Sequence, residues 1–122
     1  MINLNQVCSK LNAKILLGED QMDREVISAC GADLMSDVLT FTKRKTLLLT
    51  GLTNIQVVRT AELSDLCAIV FVRGKLPGKE IIEAAKANDI PLLVTGYTLF
   101  EACGRLYEMG IIGCPHKVFA DE

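Results

Sequence analysis

The stretch Leu47-Leu48-Leu49-Thr50-Gly51-Leu52-Thr53 has a near copy in Leu92-Leu93-Val94-Thr95-Gly96-Tyr97-Thr98. Each reads as a short apolar run, a Thr-Gly corner and a second Thr. A run that is apolar at consecutive positions, rather than at alternate ones, fits a strand covered on both faces. Gly suits the place where the backbone leaves the sheet, and Thr53 and Thr98 are placed to cap the next helices. Each copy is therefore read as one βα unit.

Working outward, Ala68 to Val72 supplies a third apolar run with its own corner, Arg73-Gly74-Lys75. Helical periodicity comes after each run. Ile55, Val58 and Glu62 share one turn spacing and Val57 and Ala61 another; Ile81, Ile82, Ala84 and Ala85 mark the second segment; Phe100, Ala102, Cys103, Leu106 and Tyr107 mark the third. Alternating strands and helices predict a small Rossmann-like α/β domain, its mostly parallel sheet flanked by helices. A short helix over Asn3 to Leu11 precedes it, with Asn3 as the cap. Ile15 to Leu17 and Val26 to Ala29 read as extended segments around a polar turn.

The chain has 122 residues, enough for one domain over 1–122 and too few for two. Half of them are hydrophobic and Trp is absent, so the core must be aliphatic. A net charge of −2 gives no broad field to gather nucleic acid or anionic lipid. The basic run Lys43-Arg44-Lys45 is read as a solvated turn. No apolar stretch approaches the roughly 20 residues that cross a bilayer, and no signal-peptide pattern opens the chain, so the expected location is cytoplasmic, without nucleic-acid or membrane partners. Five cysteines, at 8, 30, 67, 103 and 114, lack Cys-x-x-Cys spacing and form no disulfide framework; Cys8, Cys67 and Cys103 are read as core.

Chemistry is harder to place. Gly74-Lys75-Leu76-Pro77-Gly78-Lys79-Glu80 fails as a phosphate loop: only three residues separate its glycines, and Glu80 stands where a Ser or Thr must hold magnesium. Pro77 reads instead as part of a helix start, with Lys79 and Glu83 a surface pair. The dinucleotide glycine fingerprint is missing. His116 is the single histidine, and with Cys114 it cannot complete a metal set. No catalytic residue and no metal ligand is nominated.

Ligands of an open parallel sheet sit outside the carboxyl ends of its strands, where helix N-termini offer unpaired N–H groups. The three corners should meet there, making Gly51, Thr53, Asn54, Gly74, Thr95, Gly96 and Thr98 candidate ligand contacts. Ser36 and Asp37, in the stretch Gly31 to Asp37, either cap a helix beginning near Val38 or face the same rim.

The order of a short N-terminal helix, Gly18 in a polar turn, Asp33 to Asp37, the Thr-Gly corner before Asn54-Ile55-Gln56, Gly74 with Pro77, and Ile90-Pro91-Leu92-Leu93 resembles DRTGG domains. The closing run Phe100 to Ile111 looks like the end of short, stand-alone members from anaerobic bacteria and archaea. Where many members carry Asp-Arg after the first corner glycine, this chain has Leu52-Thr53; where they carry Thr-Gly-Gly, it has Val72-Arg73-Gly74. The chain is also similar to the N-terminal domain of HPr kinase/phosphorylase, whose phosphate loop belongs to a different domain. The resemblance implies a domain that pairs with itself and accompanies catalytic domains such as phosphate acetyltransferases or CBS-containing pyrophosphatases.

The resulting expectation is a non-catalytic regulatory or assembly module, a homodimer, with no dedicated cofactor but a rim able to take a small anion or adenine nucleotide, and a partner enzyme of anaerobic metabolism. The alternatives are a phosphotransferase using Lys75, Lys79 or Asp37, and a domain devoted purely to protein–protein docking.

Overall fold

The computed structural model describes residues 1–41 and 44–114. Lys43 of the basic run and the lone His116 lie outside the described residues. Helix α1 (Leu4–Lys10) begins at Asn3, whose side chain accepts from the Gln6 amide while the Gln6 side chain accepts from the Asn3 amide. That reciprocal cap satisfies two of the donors a helix start leaves unpaired. Strands β1 (Lys14–Leu17), β2 (Ser28–Gly31), β3 (Thr46–Thr50), β4 (Leu66–Phe71), β5 (Leu92–Val94) and β6 (Ile112–Gly113) form one sheet.

Their order across the sheet is β1-β5-β4-β3-β2-β6, parallel throughout except for β1, which runs antiparallel to β5. The two N-terminal extended segments are thus both strands of this sheet, yet they do not pair: β1 lies beside β5 and β2 lies between β3 and β6. The polar link between them, with a 3-10 turn over Glu19–Gln21, runs along the amino-terminal rim of the parallel strands. There Arg24 donates to the carbonyls of Cys67 and Asp89 and pairs with the Asp89 carboxylate at 2.9 Å.

From β2 to β5 the chain steps one strand at a time, through α2 (Met35–Phe41), α3 (Ile55–Ser64) and α4 (Lys79–Ala87). Val38, Val57, Val58, Ala61, Ile81 and Ala85 pack with Leu48, Ile69, Phe71 and Leu92 on one face of the sheet. Helix α5 (Leu99–Glu108) then carries the chain back across the sheet to β6, and Ala102 and Leu106 pack with α1 and with Leu47, Leu49, Val70 and Leu93 on the other face. Handedness explains the split: crossovers of one hand place helices on one face when the chain moves one way, and on the opposite face when it moves back. β3, β4 and β5 are buried at every position, as strands covered on both sides must be.

Several local expectations are corrected. α2 starts at Met35 rather than near Val38, so Ser36 and Asp37 occupy its first turn instead of preceding it; Leu34, with its carbonyl accepting from the Asp37 amide, stands at the entrance. Thr98 caps α5 through the Glu101 amide, but the matching Thr53 does not cap α3. Counted from the matching Thr50 and Thr95, α3 starts one residue later than α5, and Asn54 takes the role by accepting from the Gln56 amide at 3.0 Å. Phe100 and Tyr107 fall on the outer side of α5 and are exposed, and Cys8 and Cys103 are only half-buried, while Cys67 is core.

Two substitutions separate backbone constraint from capping. Gly18 has φ +92°, and a Cβ there would lie 2.9 Å from Cβ of Pro91, so Gly18→Ala is expected to lower stability by about 1–3 kcal/mol in chemical denaturation. Asn54→Ala should cost about 1 kcal/mol through loss of its cap, whereas Thr53→Ala should cost markedly less.

Candidate functional site

All the parallel strands end at one rim, which gathers the corners Gly51, Gly74 and Gly96. Backbone bonds stitch it: Val72 N–H donates to the Thr50 carbonyl at 3.0 Å, Arg73 N–H to Tyr97 at 2.8 Å and Gly74 N–H to Thr95 at 2.8 Å. The two repeated threonines at the strand ends have matching duties. Thr50 Oγ1 accepts from the Leu52 amide at 3.1 Å and donates to Asp33 Oδ1 at 2.9 Å. Thr95 Oγ1 accepts from the Tyr97 amide at 3.3 Å and donates to the Leu11 carbonyl at 2.7 Å. Both hydroxyls are in buried residues, where an unsatisfied polar group is costly.

The corners nevertheless differ in what they offer a ligand. At the β3 corner the Gly51 amide, the natural donor to an anion, already gives its hydrogen to Asp33 Oδ1 at 2.9 Å. The protein's own carboxylate occupies that cradle. The missing Cβ of Gly51 also leaves room for the Arg73 guanidinium, whose Nη2 would lie 2.8 Å from an added Cβ. Among the described residues that guanidinium makes no ion pair, and Arg73 holds φ +58°, a left-handed conformation unusual for a side-chain-bearing residue. Asn54 is committed to its helix cap.

The corners after β4 and β5 also commit backbone amides, Gly74 to the Thr95 carbonyl, but the space between them is lined by no carboxylate among the described residues. β4 leads to a helix on one face and the adjacent β5 to a helix on the other, so their loops diverge and leave a crevice at the carboxyl ends of the strands. Such a switch point is where open α/β sheets bind ligands. A cavity of about 250 Å³ lies here, lined by Asn12, Lys14, Gly74, Leu76, Val94, Thr95 and Gly96. Neither Gly74 nor Gly96 has any atom within 4 Å of where a Cβ would stand, so both present bare backbone to solvent. Lys14 makes no ion pair among the described residues, and Asn12 reaches over to donate to the Tyr97 hydroxyl at 2.9 Å. Arg105 stacks on the Tyr97 ring, 4.1 Å from its centroid, and steadies that side.

Of the residues read from sequence, the structure therefore brings Gly74, Thr95 and Gly96 into one cavity and leaves the others apart from it. Gly51 and Asn54 hold internal bonds, Thr53 lies in the loop before α3, Thr98 caps α5, and Ser36 and Asp37 are exposed on α2. Asp33, Arg73, Lys14 and Asn12 escaped nomination. Arg73 stood in a recognised corner and Asp33 in a recognised polar stretch, but Asn12 and Lys14 arrive only because β1 turns back against β5.

A second cavity of about 250 Å³ opens on the opposite rim, lined by Arg24, Glu25, Lys45, Asp65, Leu66 and Cys67. Its cations are already matched, Arg24 by Asp89 and Lys45 by Glu25 at 2.6 Å. The carboxyl rim, by contrast, keeps Lys14 and Arg73 without an ion-pair partner among the described residues. No three His, Cys, Asp or Glu side chains among the described residues gather as a metal site would need. No helix of the described residues is long and apolar enough to cross a membrane.

The DRTGG domain model matches residues 6–109. A solved structure of the CBS and DRTGG domains of the regulatory region of Clostridium perfringens pyrophosphatase, complexed with its activator diadenosine tetraphosphate, superposes with a TM-score of 0.70 at 20% identity. The match covers 84% of this chain and 45% of that one, so the chain spans less than half the length of this neighbour. At this identity the likeness is one of fold. No curated protein matches the chain.

Asp33→Ala removes the acceptor of both Thr50 Oγ1 and the Gly51 amide and is expected to destabilise the fold by about 1–3 kcal/mol in urea unfolding. Asp33→Asn keeps an acceptor oxygen at the same place and should recover more than half of that loss.

Proposed function

The chain belongs to the DRTGG domain family, and from that premise we propose that it is a non-catalytic regulatory or assembly module whose β4/β5 crevice binds a small anion or the phosphate of an adenine nucleotide. The carrying observation is the divergence of the β4 and β5 loops around bare Gly74 and Gly96, with Lys14 beside them and free of any carboxylate partner among the described residues. In this reading the phosphate faces the Gly96 backbone and the lysine, with Gly74 leaving room beside them, while the guanidinium of Arg73 extends the positive ledge toward Gly51. Among the described residues no side chain on the rim is arranged as a nucleophile with its base, which favours sensing over phosphotransfer. The regulatory region in the pyrophosphatase neighbour binds diadenosine tetraphosphate, and that supports including nucleotides among the ligands.

We take residues 1–122 as a single such domain, acting in the cytoplasm alongside a partner enzyme, with neither nucleic acid nor membrane engaged. A thermal-shift panel of inorganic phosphate, pyrophosphate, AMP, ADP, ATP and diadenosine tetraphosphate tests the ligand reading. A ligand at 100 times its dissociation constant adds about 2.7 kcal/mol, a rise of several degrees for a chain of this size. Lys14→Gln should weaken the effective ligand about tenfold, the equivalent of about 1.4 kcal/mol. A flat response across the panel contradicts the reading.

The assembly half of the proposal rests on α5. Phe100 is 88% exposed and Tyr107 74% exposed, one face of the helix carries both, and Gly104 lies between them with no atom within 4 Å of its Cβ position. Aromatic side chains dominate binding energy where they are buried at an interface, and a glycine between them lets a second helix approach closely. We read this face as the self-pairing surface of a homodimer. Sedimentation of the unaltered chain should show a dimer, and Phe100→Ser with Tyr107→Ser should yield a folded monomer; an unaltered chain that stays monomeric at high micromolar concentration contradicts it.

A further inference from the structure

The edge of the sheet away from the crevice carries thiols that the rim does not use. β6 pairs with β2 in parallel register, Ser28 with Ile112 and Ala29 with Gly113, so the next residues in register are Cys30 and Cys114. Neighbouring strands lie about 4.7–4.9 Å apart and residues in register point to the same side. That separation falls within the roughly 4.4–6.8 Å between Cα atoms that a disulfide spans. Cys114 is already turned toward β2, its thiol donating to the Ala29 carbonyl at 3.8 Å.

Cys103 is the nearest rival, and the sheet separates it from this pair. A Cβ on Gly31 would lie 2.6 Å from Cys103 Sγ, so Cys103 packs against the α5 side of β2. Cys30, one residue earlier in the strand, packs with the cluster on the α2 side. Successive residues of a strand face opposite ways, so Cys30 looks away from Cys103. We propose that Cys30 and Cys114 are a dithiol pair that a low-molecular-weight disulfide oxidises reversibly to a bond fastening β6 to β2.

The exchange balances with that oxidant, RSSR. The Cys114 thiolate attacks one sulfur of RSSR, forming a mixed disulfide and expelling one RS⁻. Cys30 then loses its proton and attacks the Cys114 sulfur, forming the intramolecular bond and expelling the second RS⁻. Two protein thiols are oxidised, one small disulfide is reduced, and the two protons released by the protein end on the two departing thiolates. The order of attack is set by the surroundings. Burial, reinforced by the charge and hydrogen bonding of Cys114, pushes the Cys30 thiol up to about 11. The thiolate is the nucleophile, so Cys30 is a poor first attacker and acts second, when the mixed disulfide is held beside it. Cys67, buried and pushed up to about 12, stays out of the exchange. The bond would pin a two-residue edge strand that among the described residues pairs with β2 alone.

The test is oxidation of the full, reduced chain with a series of reduced-to-oxidised glutathione ratios, followed by acid quench, alkylation and peptide mapping. The five free thiols should fall to three with loss of two hydrogen atoms from the intact mass, and the linked peptides should contain Cys30 and Cys114. Cys103→Ser should leave that linkage unchanged, and Cys30→Ser should stop the reaction at a glutathione adduct on Cys114. Should Cys30→Ser fail to fold, mapping of the unaltered chain decides alone. A linkage through Cys8 or Cys103, a chain that retains all five thiols at every ratio, or adducts that never resolve into an internal bond overturns the proposal.

Discussion

The molecule depends on how two buried hydroxyls are satisfied where strands leave the sheet. Thr50 and Thr95 each accept a bond from the amide two residues on, which closes the corner, and each donates to a distant segment. Thr50 reaches the Asp33 carboxylate in the link from β2 to α2; Thr95 reaches the Leu11 carbonyl at the end of α1. A serine or threonine turn of this kind is local chemistry. Because the same oxygen also donates over a long range, it fixes the corner and ties it to the rest of the chain. The twin Thr-Gly stretches in the sequence thus reflect a twin hydrogen-bonding device as well as a repeated βα unit.

The path of the chain beyond each threonine makes the two corners unequal. After β3 the chain turns to the same face as its neighbours, and an internal carboxylate meets the Gly51 amide. After β5 it turns to the opposite face, and the crevice beside Gly74 is left without an internal anion among the described residues. Topology alone creates the opening, but side chains decide its charge. Lys14 enters from an antiparallel edge strand that no βα repeat contains.

Legibility in the sequence tracked the physics of each feature. β3, β4 and β5 were readable because burial on both faces leaves no polar interruption, and α3, α4 and α5 because their apolar positions recur at helical spacing. The Asn3 cap and the pair of Lys79 with Glu83, at 4.0 Å, depend on residues three and four apart and were also readable. One-residue effects were not. Thr53 and Thr98 look equivalent until the one extra residue between Thr50 and α3 hands that helix's cap to Asn54, and Asp37 outweighs Asp33 only if α2 begins near Val38 instead of Met35. β6, only two residues long, carries no periodicity at all. The joining of Asn12 and Lys14 to Gly74 and Gly96 is a tertiary fact, set by β1 crossing to the far edge of the sheet.

The central claim is that the open part of the rim, between β4 and β5, is the place where this domain meets its ligand. Amide NMR during titration with ADP and with inorganic phosphate tests it most directly. The account predicts shifts concentrated at Lys14, Gly74 and Gly96, which line the cavity, and at Tyr97 beside it, with little change at Gly51, which lies outside it. Shifts centred instead on Arg24, Lys45 and Asp65 at the opposite rim would contradict it.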